Sequence, residues 1–330
     1  MKKQTLTLSQ VPRIGLGCMG MSEFYGTRDD RGSMQILMTA FDNGYRHFDT
    51  ADMYGEGHNE ELLGTFVRSL GSCRDQILIA TKTGIRRDLA GPVPVGIDSS
   101  PDYVRYACER SLRRLRVERI DLYYLHRRDP KVPIEDTLGA MKDLITEGKI
   151  AAIGLSEVSA QTLRRATKVV PISALQSEYS LWTRDPEREV LAACTELGVN
   201  FVAYSPIGRG FLSGELSLNT VQEEGDLRGK LPRFQPGAFE ANTQLLDVVS
   251  RIGKELGVSR AQVAIAWVLA QNPCIHTIPG TRKSSHLQDN FDSQQLTLSP
   301  KQLQMLSGAF SPTAVTGARY PEPLLRTVNT

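Results

Sequence analysis

The chain has 330 residues, 40% of them hydrophobic, which is enough to bury a sizeable core either as one large α/β domain or as two average domains. Its 39 Lys and Arg residues stand against 37 Asp and Glu residues, and the resulting net charge of +2 does not support binding to nucleic acid or to an anionic membrane. The 5 cysteines are widely spaced without a Cys-x-x-Cys pair, which argues against a disulfide or zinc framework and for a reducing compartment.

The sequence contains no recognisable membrane or secretion signal. It has no run of about 18 apolar residues, which a transmembrane helix would require. The N-terminal MKKQTLTLS lacks the apolar core of a signal peptide. We therefore expect a cytoplasmic protein that does not bind a membrane.

The first structured segment is expected near the N-terminus. Leu6 and Leu8 alternate with polar residues ahead of Val11 and Pro12. This alternation predicts a short edge strand or an N-terminal hairpin that caps the fold.

A glycine-rich segment follows, and it matches a dinucleotide-binding pattern. Residues 15–20, GLGCMG, satisfy G-x-G-x-x-G, and Asp49 ends the next strand, as in a Rossmann site. That site requires a helix to begin at the last glycine. Here the next residues contain two glycines and a charge run, and we expect a helix only from Ser33. We therefore reject the Rossmann interpretation.

From there, short apolar strands alternate with helix-forming segments to the end of the chain. Helix faces and stop signals are clear in several segments; Ser100, Pro101 and Asp102, for example, form a typical helix start. The predicted strands cover residues 13–16, 45–48, 76–81, 120–125, 150–155, 173–176, 200–204 and 274–278. Eight helix-separated strands predict a parallel sheet closed into an α/β barrel, the (β/α)₈ TIM barrel. No linker divides the chain, so residues 1–330 are expected to form one domain.

Three segments are too long to be simple connections. They are residues 84–99 after the third strand, residues 208–238 after the seventh strand, and the tail after Ser311. The first two are rich in Gly and Pro and follow strand ends, where long loops usually form lids or binding walls.

Titratable side chains stand at the ends of three successive strands. Asp49 ends the second strand, Lys82 the third and His126 the fourth, and Tyr54 follows Asp49 closely. Enzymes with parallel sheets keep their chemistry outside these strand ends. Any one of these residues could be a rim aromatic, a cap, a surface charge or the start of a loop. Packing needs do not explain all four together, so we interpret them as a catalytic group.

Several motifs, taken in their order, identify a family. FDTADMYG, TKTG, DLYYLH, GKIAAIGLSEVS, QSEYSLWTRDPE and YSPIGRGFLSG resemble the aldo-keto reductases, in particular their bacterial, fungal and plant branch. The resemblance extends from about Leu8 to the C-terminal tail. It implies a barrel that binds NADP(H) and reduces small aldehydes or ketones to alcohols by hydride transfer from nicotinamide C4.

The resemblance assigns the four strand-end residues to a catalytic tetrad. Tyr54 would be the general acid, although a free phenol with a pKa of about 10 is a weak acid at neutral pH. Lys82 would lower that pKa, since a nearby ammonium favours the phenolate. Asp49 would hold Lys82, and His126 would orient the carbonyl oxygen or join a proton relay. The histidines show no metal-ligand spacing, and the chemistry requires no metal.

The resemblance also supplies a set of cofactor contacts. Ser156 and Gln176 would bind the nicotinamide carboxamide, although Glu157 stands where the family usually has Asn. Tyr204 would stack on the nicotinamide, and Arg282 with Lys283 would bind the 2′-phosphate at the start of a helix. His286 stands where Arg or Gln is usual. The complete predicted set is Gly17, Met19, Asp49, Ser156, Gln176, Tyr204, Ser205, Pro206, Ile207, Arg209, Gly280, Thr281, Arg282, Lys283, His286, Asp289 and Asn290.

The sequence leaves two alternatives open. One is an oxidoreductase with another direction or substrate class, such as a dedicated alcohol, sugar or pyridoxal dehydrogenase. Relatives of this fold also serve as regulatory subunits that bind NADP(H) and turn over slowly, and an intact tetrad does not exclude a redox-sensing role. The loops that would select the substrate contain no readable chemical pattern, so the physiological carbonyl compound is not predicted.

Overall fold

The computed structural model describes residues 6–87, 94–328 and 330. Its strands are β1 (Leu16–Gly17), β2 (His47–Asp49), β3 (Leu78–Thr83), β4 (Ile85–Arg87), β5 (Pro94–Ile97), β6 (Leu122–Leu125), β7 (Ile153–Ser156), β8 (Ala174–Glu178), β9 (Asn200–Tyr204) and β10 (Ile275–Thr277). Eight of them form one parallel sheet in the order β1-β2-β3-β6-β7-β8-β9-β10. A parallel bridge between Ile14 and Thr277 joins its two edges. The predicted (β/α)₈ barrel is confirmed.

Helices separate the eight barrel strands, as the apolar periodicity predicts. They are α1 (Asp30–Asp42), α2 (His58–Ser69), α3 (Pro101–Leu115), α4 (Ile134–Thr146), α5 (Ala160–Val169), α6 (Val190–Leu197), α7 (Leu218–Val221), α8 (Pro236–Thr243), α9 (Leu246–Leu256), α10 (Arg260–Ala270), α11 (Ser284–Asp292), α12 (Pro300–Ala309) and α13 (Glu322–Leu325). In the described part of the chain, no helix has both the length and the apolar character needed to cross a membrane.

Local sequence explains several helix boundaries. The Ser100 hydroxyl accepts a hydrogen bond from the backbone N–H of Tyr103, and Pro101 begins α3, as predicted. The helix after the glycine-rich segment begins at Asp30 rather than at Ser33, because the Asp29 carboxylate caps it by accepting from the N–H of Gly32. No α-helix opens at Gly20, which agrees with the rejection of a Rossmann site.

The predicted N-terminal strand or hairpin is wrong for the residues that the structure describes. Residues 8–10 instead form a 3₁₀ turn, closed by the N–H of Gln10 donating to the Thr7 carbonyl. The Gln10 side chain accepts from the N–H of Thr7, so it satisfies locally a donor that a strand partner would have taken. Leu8 and Val11 nevertheless pack with residues from the barrel strands, so the segment does cover the barrel.

The two long loops contain structure of their own. The loop after β3 forms the antiparallel β4–β5 hairpin; its residues 88–93 lie outside the described part of the chain. The segment after β9 is a series of short helices that includes α7 and the start of α8. Trp182 anchors this second segment by stacking on Phe211, with ring centroids 4.1 Å apart, and by an edge contact with Phe234.

Candidate active site

The ends of β2, β3 and β6 bring the four predicted catalytic residues to one place, which we call the β2–β6 half of the barrel mouth. These strands are parallel neighbours, with Asp49 in register with Ala80 and Lys82 in register with Tyr124. His126 directly follows β6. Tyr54 opens a 3₁₀ turn after β2, so a turn rather than a strand places its side chain.

A lysine at the centre of this half contacts both an acid and a phenol. The Lys82 ammonium donates to the Asp49 carboxylate in a short contact and to the Thr50 carbonyl at 2.8 Å. It also lies 3.5 Å from the Tyr54 hydroxyl. Lys82 and Asp49 are almost completely buried and Tyr54 is buried to a similar degree. Water therefore screens these charges weakly.

Burial and charge set the protonation of this group. Burial acts to lower the pKa of Lys82, but Asp49 and Tyr54 together outweigh it and raise the pKa, so the ammonium keeps its charge. Burial raises the pKa of the Tyr54 phenol, and the Lys82 ammonium opposes that shift without cancelling it. The phenol therefore keeps its proton at neutral pH in this state.

The histidine is neutral and lies beside the phenol. Burial, together with the nearby cations Arg127 and Lys82, holds the pKa of His126 well below its usual value. Its ring meets the Tyr54 ring edge-on, with centroids 5.9 Å apart. Among the described residues, its enclosed Nδ1 atom has no hydrogen-bond partner.

Two predicted cofactor residues at the ends of β7 and β8 are already engaged by the protein. The Gln176 amide donates to Asp49 at 2.8 Å, so Asp49 is held from two sides. The Ser156 hydroxyl accepts from Arg127 at 3.2 Å, and the same Arg127 nitrogen donates to the His126 carbonyl at 2.7 Å. Arg127 was missed by sequence reasoning, although its place directly after His126, a predicted catalytic residue, was a usable signal.

The ends of β7, β8 and β9, which we call the β7–β9 half of the mouth, are joined to the C-terminal tail. Glu157 has a left-handed backbone (φ 55°) and a buried side chain. Both of its carboxylate oxygens accept from the Arg319 guanidinium, at 3.0 and 2.7 Å. Burial acts to raise the pKa of Glu157, but Arg319 and Arg127 outweigh it and hold the pKa below its usual range, so the carboxylate stays charged.

Tyr204 and Arg209, both predicted to contact the cofactor, also meet the tail. The Tyr204 hydroxyl lies 2.9 Å from a Glu157 carboxylate oxygen and 3.1 Å from the Tyr320 hydroxyl. Arg209 donates to the Tyr320 hydroxyl at 2.7 Å and to the Glu178 carboxylate at 3.1 Å. Sequence reasoning missed Glu178, Arg319 and Tyr320 as parts of the site, and no local pattern indicated the pairing with Glu157.

The remaining predicted cofactor residues follow the ends of β9, β10 and β1, which are neighbours. The segment directly after β9 contains Ser205, Pro206 and Ile207. Gly17 is the last residue of β1, and Met19 follows two residues later. A Cβ at Gly280 would lie 2.9 Å from the Gly17 carbonyl, so only glycine allows this close approach of the two backbones. Met19 packs on the side of the cluster formed by Ala51, Met53 and Tyr54.

The start of α11 carries the predicted phosphate-binding cations. Arg282 donates through its two terminal nitrogens to the carbonyls of Thr27 and Tyr25, at 2.8 and 2.6 Å. Lys283 is exposed at the N-cap position, where no side chain caps the helix. Its backbone N–H donates to the Thr281 hydroxyl at 3.0 Å. On α11, His286 is 3.9 Å from Glu215 and Asn290 is buried, while the Asp289 carbonyl accepts from Ser293.

The chain is similar to known proteins over most of its length. The family model described as "Aldo/keto reductase family" matches residues 13–309. A probable aldo-keto reductase 1 of Glycine max is 42% identical over 312 residues, which cover 94% of this chain and 89% of the relative. An aldo-keto reductase of Schizosaccharomyces pombe named yakc [NADP(+)] is 40% identical over 314 residues, which cover 94% of this chain and 92% of the relative.

Solved structures share the fold. A glycerol dehydrogenase from Gluconobacter oxydans superposes with a TM-score of 0.84 at 28% identity, over 94% of this chain and 97% of that chain. A thermostable aldo-keto reductase in complex with the inhibitor epalrestat superposes with a TM-score of 0.71 at 30% identity, over 91% of this chain and 95% of that chain. The predicted fold and oxidoreductase class are thus confirmed, and the chain belongs to the aldo/keto reductase family.

Proposed function

We propose that this protein reduces small aldehydes or ketones to alcohols with NADPH, and that the whole chain, residues 1–330, works as one barrel domain. The observation that supports this most directly is the buried Lys82, which contacts Asp49 and lies 3.5 Å from the Tyr54 hydroxyl. A protonated phenol, a charged ammonium and a neutral imidazole then face one point of the barrel mouth. That combination suits the donation of a proton to a carbonyl oxygen.

Each side chain has a distinct part in the proposed reaction. Tyr54 holds a proton at neutral pH and passes it to the substrate oxygen as negative charge develops there. Lys82 stabilises the phenolate that remains, and Asp49 keeps Lys82 charged and in place. The neutral imidazole of His126 donates a hydrogen bond to the same oxygen and orients it. When bound, the reduced nicotinamide supplies the hydride to the carbonyl carbon.

The residues present fit an NADP-type dinucleotide. The start of α11 offers unsatisfied backbone N–H groups and the exposed cation Lys283, which suit the adenosine 2′-phosphate. The name of the Schizosaccharomyces pombe relative includes NADP(+), which favours the same cofactor here. Ser156, Gln176 and Tyr204 would hold the nicotinamide, while His286, Asp289 and Asn290 would line the adenine. Arg209 is paired with Glu178 and Tyr320, so its proposed part is to shape the pocket wall near the pyrophosphate.

The test combines binding with turnover. Purified protein is titrated with NADPH by intrinsic fluorescence, and NADPH oxidation is then followed with a panel of aldehydes and ketones. Tyr54→Phe should lower kcat by about 10²- to 10⁴-fold, the usual contribution of a general acid, while NADPH binding is kept. Tyr106→Phe is the matched control, because Tyr106 is exposed and, of the described residues, only Arg110 on the same helix forms a hydrogen bond with its hydroxyl.

The outcomes separate the candidate functions. Turnover that depends on Tyr54 supports the reductase. NADPH binding without turnover on any carbonyl compound would favour the redox-sensing subunit. Full turnover by Tyr54→Phe would contradict the proposed proton donor, and the absence of NADPH binding would overturn the proposal as a whole.

A further inference from the structure

The C-terminal tail crosses the barrel mouth and is held there at several points. After α12, the Asn242 side chain exchanges two hydrogen bonds with the backbone of Thr316, both 2.9 Å long. Arg233 donates to the Gly317 carbonyl at 3.1 Å. At the far end, the Ser159 N–H donates to the Thr330 carbonyl at 3.1 Å. The tail is therefore fastened on both sides of Arg319 and Tyr320.

Between these anchors, Arg319 pairs with the Glu157 carboxylate, and Glu157 directly follows Ser156 at the end of β7. One Glu157 oxygen accepts from Arg319, from the Glu178 N–H and from the Tyr204 hydroxyl; the other accepts from Arg319. A carboxylate with four donors has little capacity left for a nicotinamide carboxamide.

Tyr320 supports the other wall of the same pocket. The Tyr320 hydroxyl lies 3.1 Å from the Tyr204 hydroxyl and accepts a hydrogen bond from the Arg209 guanidinium at 2.7 Å. Both neighbouring guanidiniums form cation–π contacts with the Tyr320 ring. The Cζ atoms of Arg209 and Arg319 lie 5.3 and 5.4 Å from the ring centroid. Tyr320 thereby fixes the tilt of Tyr204 and the position of Arg209.

We propose that Arg319 and Tyr320 are positioning residues of the nicotinamide pocket: Arg319 neutralises and orients Glu157, and Tyr320 holds Tyr204 as the platform for the ring. The inference rests on the proposed NADPH-dependent function. In this chain, Glu157 acts as the anchor that joins the tail to the ends of β7, β8 and β9. The ion pair is buried, and the β7–β9 half is incomplete without the tail.

The charges of Glu157 and Arg319 predict a change in the relative affinities for NADPH and NADP⁺. A tail with a merely structural role would not change that ratio. Arg319→Met leaves the buried Glu157 carboxylate without its main cation. A carboxylate beside the nicotinamide favours the cationic oxidised ring over the neutral reduced ring. The affinity for NADPH should therefore fall relative to the affinity for NADP⁺, and we expect their ratio to change by about tenfold.

The experiment measures dissociation constants for NADPH and NADP⁺ by fluorescence titration, together with thermal unfolding of the cofactor-free protein. Arg319→Met should shift the ratio, and Glu157→Gln combined with Arg319→Met should return it towards the wild-type value, because the unpaired charge is gone. Tyr320→Phe keeps the ring and loses the hydroxyl, so both affinities should fall by several-fold without a change in the ratio. Arg326→Met is the control, since Arg326 is exposed in the same tail and, within the described part of the chain, pairs only with Glu322.

The measurements distinguish a failure of this inference from a failure of the proposed function. An unchanged ratio in folded Arg319→Met, or unchanged affinities in Tyr320→Phe if the first variant does not fold, would overturn this inference and leave the proposed function standing. A shifted ratio that the double variant does not correct would also overturn it. Failure of the wild-type protein to bind either cofactor would overturn the proposed function itself.

Discussion

The two halves of the barrel mouth are completed in different ways. In the β2–β6 half, Asp49, Tyr54, Lys82 and His126 come from three neighbouring strands and the turn after the first of them. In the β7–β9 half, Glu157 and Tyr204 find their partners in Arg319 and Tyr320, from the far end of the chain. The proposed proton transfer thus depends on groups that the barrel itself aligns, whereas the proposed nicotinamide pocket depends on a tail that must dock.

The strongest way to break the β2–β6 half is to remove its central cation. Lys82→Met leaves the Asp49 carboxylate buried, with Gln176 as its only side-chain partner among the residues that the structure describes. We expect a loss of about 3–5 kcal/mol in the free energy of unfolding, the usual cost of an unpaired buried charge. Urea unfolding checks this. Adding Asp49→Asn should recover much of the lost stability. Reductase activity should stay low, because the Lys82 ammonium beside the Tyr54 hydroxyl is still missing.

The exposed Lys142→Met is the control for that measurement and should stay within about 0.5 kcal/mol of the wild-type protein. If Lys82→Met also lost no more than about 0.5 kcal/mol in the free energy of unfolding, the interpretation of Lys82 and Asp49 as a buried ion pair would be contradicted.

Acidification probes the barrel interior beneath both halves. Burial lowers the pKa of His47 and of His276 to about 3, and the pKa of His126 also lies well below 6.5. The unfolded chain therefore binds protons below about pH 6.5 that the folded chain does not bind. The contribution of each histidine to stability must fall as the pH drops from about 6.5 towards its lowered folded-state pKa, by up to about 1.4 kcal/mol per pH unit.

Removing one of these histidines sharpens that prediction. His276→Gln should lose about 1.4 kcal/mol less than the wild-type protein between about pH 5.5 and 4.5 in urea unfolding. Replacing the exposed Gln295 by Ala should leave the slope unchanged, apart from a constant offset. An identical slope in His276→Gln and wild type would show that His276 is protonated in the folded protein.

The smallest expected effect lies at the outer edge of the proposed cofactor site. Arg282 is occupied by the carbonyls of Tyr25 and Thr27, whereas the exposed Lys283 ammonium has no hydrogen-bond partner among the described residues. Lys283→Met should weaken NADPH binding by about tenfold, as expected for one charge-assisted hydrogen bond. NADH binding should not change, because NADH lacks the 2′-phosphate.

Lys301→Met, at an exposed position in α12, is the control and should leave both affinities unchanged. Equal losses for NADPH and NADH in Lys283→Met would show that Lys283 contacts another part of the dinucleotide.

Much of this molecule was predictable because its determinants are local. The eight barrel strands were predicted at nearly their observed positions, since each is a short apolar run between helices and turn residues. The placement of the four predicted catalytic residues followed from them, because parallel neighbours end at the same edge of a barrel. Boundaries shifted where a side-chain cap decided the matter, as Asp29 does for α1.

The sequence by itself determined the barrel and the side chains at its strand ends. Only the tertiary structure decided that residues 8–10 form a 3₁₀ turn and that Arg319 pairs with Glu157. The physical reason is range. Apolar periodicity and caps act over a few residues, whereas a buried ion pair between distant segments depends on where the whole chain places them. A lone Glu157 or Arg319 in the sequence carries no mark of its partner.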